Sequence, residues 1–289
     1  MGRLTRKYPV VRVGPASAGR RIETVAVEEP LEIRLNGEPF VVTMRTPGAD
    51  IDLVHGLLHS EGVVTERADI SLARYCAGSG PDGVNTYNVL DVSLARHVEP
   101  PRADQRRQVL TTSACGLCGA TSIDSVLRDS RYALNHELRV TPELIMAAPD
   151  LLRAQQRAFD QTGGLHAAGL LGPDGVLVCV REDVGRHNAV DKVVGWAIRE
   201  GRLPLHEMIL VVSGRASFEL TQKAVLAGIP ILAAVSAPSS LAVELATEAG
   251  LTLAGFVRGQ TMNLYAHADR IAAAGLPTGS AATEPVSTA

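Results

Sequence analysis

The chain has 289 residues, of which 46% are hydrophobic and 20% charged, a composition typical of a folded protein rather than a disordered one. With 28 Lys and Arg against 31 Asp and Glu, its formal charge of −3 excludes a protein that coats nucleic acid through a general positive charge. The most apolar segment, 224–235, contains Gly228 and Pro230 and is shorter than the roughly 20 residues of a membrane-spanning helix. A cytoplasmic protein without a membrane span is therefore expected.

The first half of the chain predicts a small α+β domain over residues 21–109. Residues 1–20 are rich in small and polar types without periodicity, which predicts a flexible N-terminal tail. The Asn36-Gly37 pair predicts a tight hairpin, and Asp50 precedes an apolar pattern with helical spacing. A polar, proline-containing stretch, 96–108, marks the predicted boundary of the domain. Strands are predicted at 22–27, 31–36, 39–45, 70–76 and 84–94.

The second half, residues 110–274, alternates apolar strands with helical segments. Strands that are apolar almost throughout are buried on both faces, and single helices between them indicate βαβ crossovers. The predicted fold is a three-layer α/β/α sandwich whose first two strands form an antiparallel hairpin. Residues 275–289 are expected to be a flexible C-terminal tail.

The strongest chemical signal is Cys115-Gly-Leu-Cys118-Gly119, which precedes a predicted short helix over about 120–129. At a helix N-terminus the free N–H groups and the dipole lower the pKa of a thiol and favour the thiolate. Small neighbours leave both sulfurs open to a partner. This pattern favours redox, metal or sulfur chemistry over two structural cysteines.

Two competing site types are weighed against sulfur chemistry. A zinc site needs three or four ligands, but the remaining cysteines, Cys76 and Cys179, are isolated. The zinc deaminase signature H-x-E…P-C-x-x-C is only half present, because Ala114 replaces the proline. A thioredoxin-type dithiol would lie near the start of its own βαβ domain, whereas this motif lies at the seam between two domains.

Four further segments carry glycine and polar residues. Residues 78–83 spell G-x-G-x-x-G, but a strand-like stretch follows instead of the helix that a dinucleotide fingerprint requires; a hairpin loop over 77–83 is predicted. Residues 181–192 run from a strand into a helix and predict either a pocket wall or a capped helix with solvated charges. Residues 213–217 and 255–263 follow two other strands, and their Gly-Arg-polar turns are expected to converge on one crevice for a phosphate-bearing ligand.

Taken in order, these motifs resemble the formate dehydrogenase accessory sulfurtransferase family, from about Arg21 to about Ile271. The resemblance implies a C-terminal domain similar to the cytidine deaminase fold without its zinc. It also implies a cytoplasmic, homodimeric sulfur carrier without a protein-held metal. The segments that carry it are CGLCG, TGGLHAAGL, EDVGRHNAVDKVVG, SGRASFELTQKA and GFVRGQTMNLY.

The resemblance also implies an activity. Such a protein accepts sulfur as a persulfide from a cysteine desulfurase. It then passes the sulfur to the molybdenum or tungsten bis(molybdopterin guanine dinucleotide) cofactor of the formate dehydrogenase catalytic subunit. Cys115 would carry the persulfide, with Cys118 as a helper sulfur, and Arg258 would contact a guanine nucleotide end that GDP can mimic. The implied cofactor-binding residues are Phe256, Val257, Arg258, Gly259, Gln260 and Thr261.

Two alternatives from other classes remain open at this point, a dithiol redox protein and a zinc-dependent deaminase-like hydrolase. The residues leave undecided whether Cys118 is essential and whether Arg186, His187 or Arg215 also contact the cofactor.

Overall fold

The computed structural model describes residues 4–15, 17–76, 87–101 and 119–272. The predicted C-terminal tail and the loop predicted at 77–83 lie outside these residues. Within these residues the first half contains six strands and one α-helix, namely β1 (Thr5–Val13), β2 (Ala18–Ala26), β3 (Glu29–Leu35), β4 (Glu38–Arg45), α1 (Asp50–Ser60), β5 (Ile70–Tyr75) and β6 (Val89–Leu94).

A four-stranded sheet of order β4-β3-β6-β5 forms the centre of the first half. Its hairpin between β3 and β4 closes through Asn36 and Gly37, both with positive φ, which is the geometry that a two-residue hairpin loop requires. Alternate residues such as Leu31, Ile33 and Leu35 are buried and pack with the apolar residues of α1. The predicted hairpin and helix are confirmed.

The N-terminal segment differs from the expected tail. Strands β1 and β2 pair antiparallel from Thr5↔Ala26 to Val13↔Ala18, and they form a separate two-stranded ribbon. Within the described residues most of its side chains are exposed. The sequence did not predict this ribbon, because a strand exposed on both faces shows no alternation of apolar and polar residues.

The second half is built on a six-stranded sheet of order β12-β11-β10-β9-β7-β8. Its elements are α2 (Gly119–Asp129), α3 (Pro142–Arg153), α4 (Arg157–Thr162), β7 (His166–Leu171), β8 (Leu177–Asp183), α5 (Arg186–Arg199), β9 (Ile209–Val212), α6 (Phe218–Leu226), β10 (Ile231–Ala234), α7 (Ser240–Ala249), β11 (Thr252–Arg258) and β12 (Thr261–Ala266).

The six-stranded sheet is covered on both faces, which confirms the three-layer α/β/α prediction. One apolar cluster joins the sheet to α2, α5, α6 and α7, and a second joins its other face to α3. Strands β7 and β8 form the expected antiparallel hairpin, and β9, β10 and β11 are parallel. None of the helices in the described ranges is long and apolar enough to cross a membrane.

Strand directions place several loops at one end of this sheet. Because β7 is antiparallel to both β8 and β9, the carboxyl ends of β8, β9, β10 and β11 all lie at the same edge. We call this the carboxyl edge, and it comprises residues 183–187, 213–217, 235–239 and 256–261. Open α/β sheets bind ligands at this edge.

The two halves meet where α1 crosses α5. A Cβ atom on Gly56 would lie 1.9 Å from the backbone oxygen of Asp191, and one on Gly195 would lie 1.8 Å from that of Asp52. Only glycine permits so close a backbone approach. Each helix therefore contributes one glycine to the contact that fixes α5 against the first half.

Candidate functional site

Backbone hydrogen bonds join three neighbouring loops of the carboxyl edge, those after β9, β10 and β11. The backbone N–H of Ser236 donates to the oxygen of Gly214 (3.3 Å), and that of Phe256 donates to the oxygen of Ser236 (3.2 Å). The two Gly-Arg turns do not follow neighbouring strands, because β10 lies between β9 and β11. They nevertheless share one edge, about 10 Å apart for two strand spacings.

The predicted cofactor-binding segment, Phe256 to Thr261, is a β-hairpin rather than a strand-to-helix turn. Arg258 pairs with Thr261 across Gly259 and Gln260, and β12 follows. Sequence reasoning missed this strand because its residues are mostly half-exposed or exposed. Phe256 has a positive φ of 51°, a strained conformation for a bulky residue that is often found at functional sites.

The hairpin presents Arg258 to solvent. Its guanidinium carbon lies 6.0 Å from the centre of the Phe256 ring, and its side chain is exposed together with Gly259 and Gln260. A planar guanidinium beside an aromatic face can form paired hydrogen bonds with a phosphate or a purine carbonyl. Gly259, with a φ of 57°, adds no side chain that would block such a ligand.

A second group at the carboxyl edge centres on His187 in the first turn of α5. Its Nε2 lies 2.8 Å from Oε2 of Glu219 and 3.4 Å from Oγ of Ser217. The hydrogen bond from His187 is the main cause that lowers the pKa of Glu219 to about 2. Glu219 was not predicted from the sequence. It lies in the first turn of α6, where an acidic residue stabilises any helix and so gives no specific signal.

This ion pair predicts a pH effect on stability. Because the pKa of Glu219 is depressed in the folded state, its contribution is present above the usual 4.5 and is lost as pH falls toward 2. Urea unfolding of wild type and Glu219→Gln between pH 6 and about 2.5 measures this contribution. We expect the unfolding free energy of the wild type to fall more steeply below pH 4.5, and equal slopes would contradict the assignment.

Two arginines lie on adjacent loops of the carboxyl edge, Arg186 at the start of α5 and Arg215 after β9. Nε of Arg186 is buried and has no hydrogen-bond partner among the described residues, and Arg215 is exposed on the next loop. The pKa of His166 is lowered first by burial and then by the charges of Arg186 and His187. Pyrophosphate and phosphate groups match such a donor set.

The rest of the 181–192 segment holds the structure together instead of facing a ligand. Nζ of Lys192 lies 2.6 Å from Oδ2 of the fully buried Asp183, and it donates to the backbone oxygen of Thr46 (2.9 Å). Asn188 donates to Met44 O and to Asp183, so Lys192 and Asn188 both bind the first half to the second. Arg186 and His187 are the two polar side chains of this segment at the carboxyl edge that these contacts do not use.

Cys115 and Cys118 lie outside the described residues, so their predicted roles stay predictions. Helix α2 begins at Gly119, directly after Cys118 in the chain. Among the described cysteines, Cys179 is buried, and burial raises the pKa of its thiol to about 12, which makes it unreactive at neutral pH. Cys76 is half-buried and unpaired.

The chain contains two H-x-E strings, His59-Ser60-Glu61 and His97-Val98-Glu99, and both histidines contact other groups. His59 is buried, and its ring nitrogens lie 3.1 Å from the backbone oxygens of Val64 and Leu226. His97 lies 2.8 Å from Oδ1 of Asp69 in the first half. Asp69 already accepts hydrogen bonds from Thr65 and from the Glu66 backbone, so the Glu66, Asp69 and His97 group is a local capping arrangement. Both histidines therefore have hydrogen-bond partners among the described residues.

Comparison with known proteins identifies relatives along most of the chain. The chain is 60% identical to the sulfur carrier protein FdhD of Nocardia farcinica over 271 residues, which cover 93% of this chain and 96% of the relative. It is 58% identical to that of Streptomyces coelicolor, with 94% and 97% covered. It is 57% identical to that of Mycobacterium tuberculosis, with 87% and 92% covered.

A solved structure agrees with this assignment. A crystal structure of a protein named as a formate dehydrogenase accessory protein, from Desulfotalea psychrophila, matches with a TM-score of 0.74. The two chains are 25% identical, and the match covers 93% of this chain and 100% of the other. The family model described as FdhD/NarQ matches residues 26–272. This chain therefore belongs to the FdhD/NarQ family.

Proposed function

We propose that this chain takes up sulfur from a cysteine desulfurase as a persulfide on Cys115. It then transfers the sulfur to a molybdenum or tungsten bis(molybdopterin guanine dinucleotide) cofactor destined for the formate dehydrogenase catalytic subunit. The broader role rests on relatives that cover most of the chain: it is a sulfur carrier that serves formate dehydrogenase. A cytoplasmic location and a homodimer are part of the proposal.

The cationic carboxyl edge is the observation that supports this substrate. Arg258, Arg215 and Arg186 lie on three different loops of one edge, and the buried Nε of Arg186 lacks an acceptor within the described part of the chain. A guanine dinucleotide carries a pyrophosphate and a carbonyl-bearing base, and arginine forks bind both groups. The residues present therefore fit the nucleotide portion of the cofactor, which is the substrate here.

The transfer consists of two exchange steps. The Cys115 thiolate attacks the outer sulfur of the desulfurase persulfide, its bond to the new sulfur forms, and the desulfurase thiolate leaves. In the second step the reduced metal centre of the substrate would bond to the outer sulfur and supply the two electrons that convert it to sulfide, while the bond between Sγ of Cys115 and that sulfur breaks and Cys115 leaves as the thiolate. The protein contributes the nucleophile and positions the substrate nucleotides against it.

Calorimetry with GDP tests the nucleotide site. Arg258→Ala removes a charge-assisted hydrogen bond, so we expect GDP affinity to fall about 10- to 100-fold. Arg12→Ala, which removes an exposed arginine from β1, serves as the matched control and should bind GDP like the wild type. Equal affinities for Arg258→Ala and wild type would remove Arg258 from the site.

The alternatives predict different chemistry. After incubation with a desulfurase and cysteine, intact mass should increase by one sulfur atom that a reductant removes and that maps to Cys115. A dithiol redox protein would instead cycle a Cys115–Cys118 disulfide without binding GDP. A deaminase-like hydrolase would contain one zinc ion per chain on elemental analysis, and either result would contradict the proposal.

A further inference from the structure

Thr46, which follows β4 in the first half, binds the second half with all three of its polar groups. Its backbone N–H donates to Oδ2 of Asp183 (3.1 Å), and its hydroxyl oxygen accepts from the backbone N–H of Val184 (3.1 Å). Its carbonyl oxygen accepts from Nζ of Lys192 (2.9 Å). Thr46 is buried, so water does not compete for these bonds. One residue of the first half therefore holds the loop that leads to Arg186.

The neighbours of Thr46 in the chain fix its own position. The side chain of Arg45 is buried, and its Nη2 donates to Oδ2 of Asp50 (3.0 Å), the first residue of α1. On the other side, Pro47 restricts the residue before it to extended backbone. Thr46 is therefore a rigid point of attachment between β4 and α1.

Asp183 extends this attachment to the start of α5. Its carboxylate is fully buried, and its Oδ1 accepts from the backbone N–H of Gly185 (2.8 Å) and from Nδ2 of Asn188 (3.1 Å). Gly185 is the N-cap residue of α5. Because the other carboxylate oxygen accepts from Thr46, a displacement of Thr46 is transmitted to the first turn of α5.

Arg186 depends on the position of this backbone. Its Nε is buried and lacks a hydrogen-bond partner within the described part of the chain, so no bond at that atom corrects the direction of the side chain. His187 differs, because it is paired with Glu219 of α6. A binding group that is misplaced by about 1 Å can lose most of its effect. The backbone of 183–185 therefore decides where Arg186 meets a ligand.

We propose that Thr46 is a positioning residue for substrate binding, and that its hydroxyl group, through the N–H of Val184, sets the place of Arg186 against a phosphate group of the substrate. The inference rests on the proposed function, because it assumes that nucleotides bind at the carboxyl edge. Thr46 is 2% exposed, so it acts through Arg186 without touching the substrate. The first half thereby takes part in substrate recognition by loops of the second half.

Calorimetry with GDP on Thr46→Val in the full-length protein tests this role. Valine keeps the shape of threonine but leaves the N–H of Val184 without its acceptor. It also suits the extended backbone before a proline, so the variant should fold. We expect its GDP affinity to be about tenfold lower than that of the wild type. Thr46→Ser restores the hydroxyl group and should bind GDP like the wild type.

Thr252→Val is the matched control, because it makes the same change at another buried threonine. Thr252 begins β11, at the opposite end of the sheet from the carboxyl edge, and its Oγ1 donates to the backbone oxygen of His267 (2.6 Å). We expect this variant to lose stability but to bind GDP like the wild type. The Nε–H signal of Arg186 in ¹⁵N NMR spectra, assigned with Arg186→Lys, should shift in ligand-free Thr46→Val and stay in place in Thr252→Val.

The outcomes separate positioning from general destabilisation. Equal GDP affinities of Thr46→Val and wild type would overturn the proposal, and so would a loss of affinity that Thr46→Ser shares or that Thr252→Val matches. An Arg186 signal that Thr46→Val leaves in place would overturn it as well. A wild type that binds no GDP would contradict the nucleotide site of the proposed function, and with it this role.

Discussion

Cys115→Ala is expected to abolish activation of formate dehydrogenase in cells that lack the wild-type protein. Alanine cannot form a persulfide, so no sulfur can be carried however well the substrate binds. The same variant should keep the wild-type melting temperature and GDP affinity, because the nucleotide contacts proposed at Arg258 and its hairpin do not involve the thiol. Formate-dependent dye reduction in cell extracts measures the activation.

Two matched variants make the result specific. Cys76→Ser changes a half-buried free cysteine and should leave activation intact. Cys118→Ala tests the role of the second cysteine. A partial loss of formate dehydrogenase activation indicates a helper, and a complete loss indicates an essential relay. Normal activation by Cys115→Ala would contradict the carrier role of this residue.

Gly195→Ala is expected to destabilise the protein strongly. In most exposed helices a glycine-to-alanine change stabilises by up to about 1 kcal/mol, so the sign of the effect is diagnostic. Here the new Cβ would lie 1.8 Å from the backbone oxygen of Asp52 and 2.7 Å from the backbone nitrogen of Gly56. Helices α1 and α5 would have to separate, at a cost of about 3 kcal/mol or more.

Urea unfolding measures this cost, and Gly164→Ala is the control. Gly164 has only one atom within 4 Å of an added Cβ, at 3.9 Å, so its substitution should change stability little. Helix α5 begins at Arg186 and His187. Its displacement should therefore also lower the GDP affinity of the molecules that remain folded. Unchanged stability of Gly195→Ala would show that the helix crossing tolerates a methyl group.

The local elements were predictable where a short-range signal was strong. The Asn36-Gly37 turn was correct because its two left-handed residues suit asparagine and glycine. The buried strands and their helices were correct because burial on both faces leaves uninterrupted apolar runs. The β1–β2 ribbon and β12 were missed because exposed strands carry no such pattern.

The candidate site was predictable only in part. The Gly-Arg hairpin around Arg258 was found through its composition, and its left-handed Phe256 (φ 51°) had no sequence signal. Glu219 was missed because its partner, His187, lies 32 positions earlier in the chain on another helix. The His187–Glu219 contact forms only in the folded protein, because β8 and β9 bring the first turns of α5 and α6 to the same edge of the sheet.

The amino-acid sequence alone determined the order of the buried strands and the helices between them, the three-layer class and the C-x-x-C motif, because these depend on neighbouring residues and their periodicity. The tertiary structure decided which polar residues face a ligand and which hold the protein together. Lys192 and Arg186 lie in one motif, yet Lys192 is buried against Asp183 while Nε of Arg186 has no partner in the described residues. Burial and pairing are set by distant parts of the chain, so they become visible only in the folded molecule.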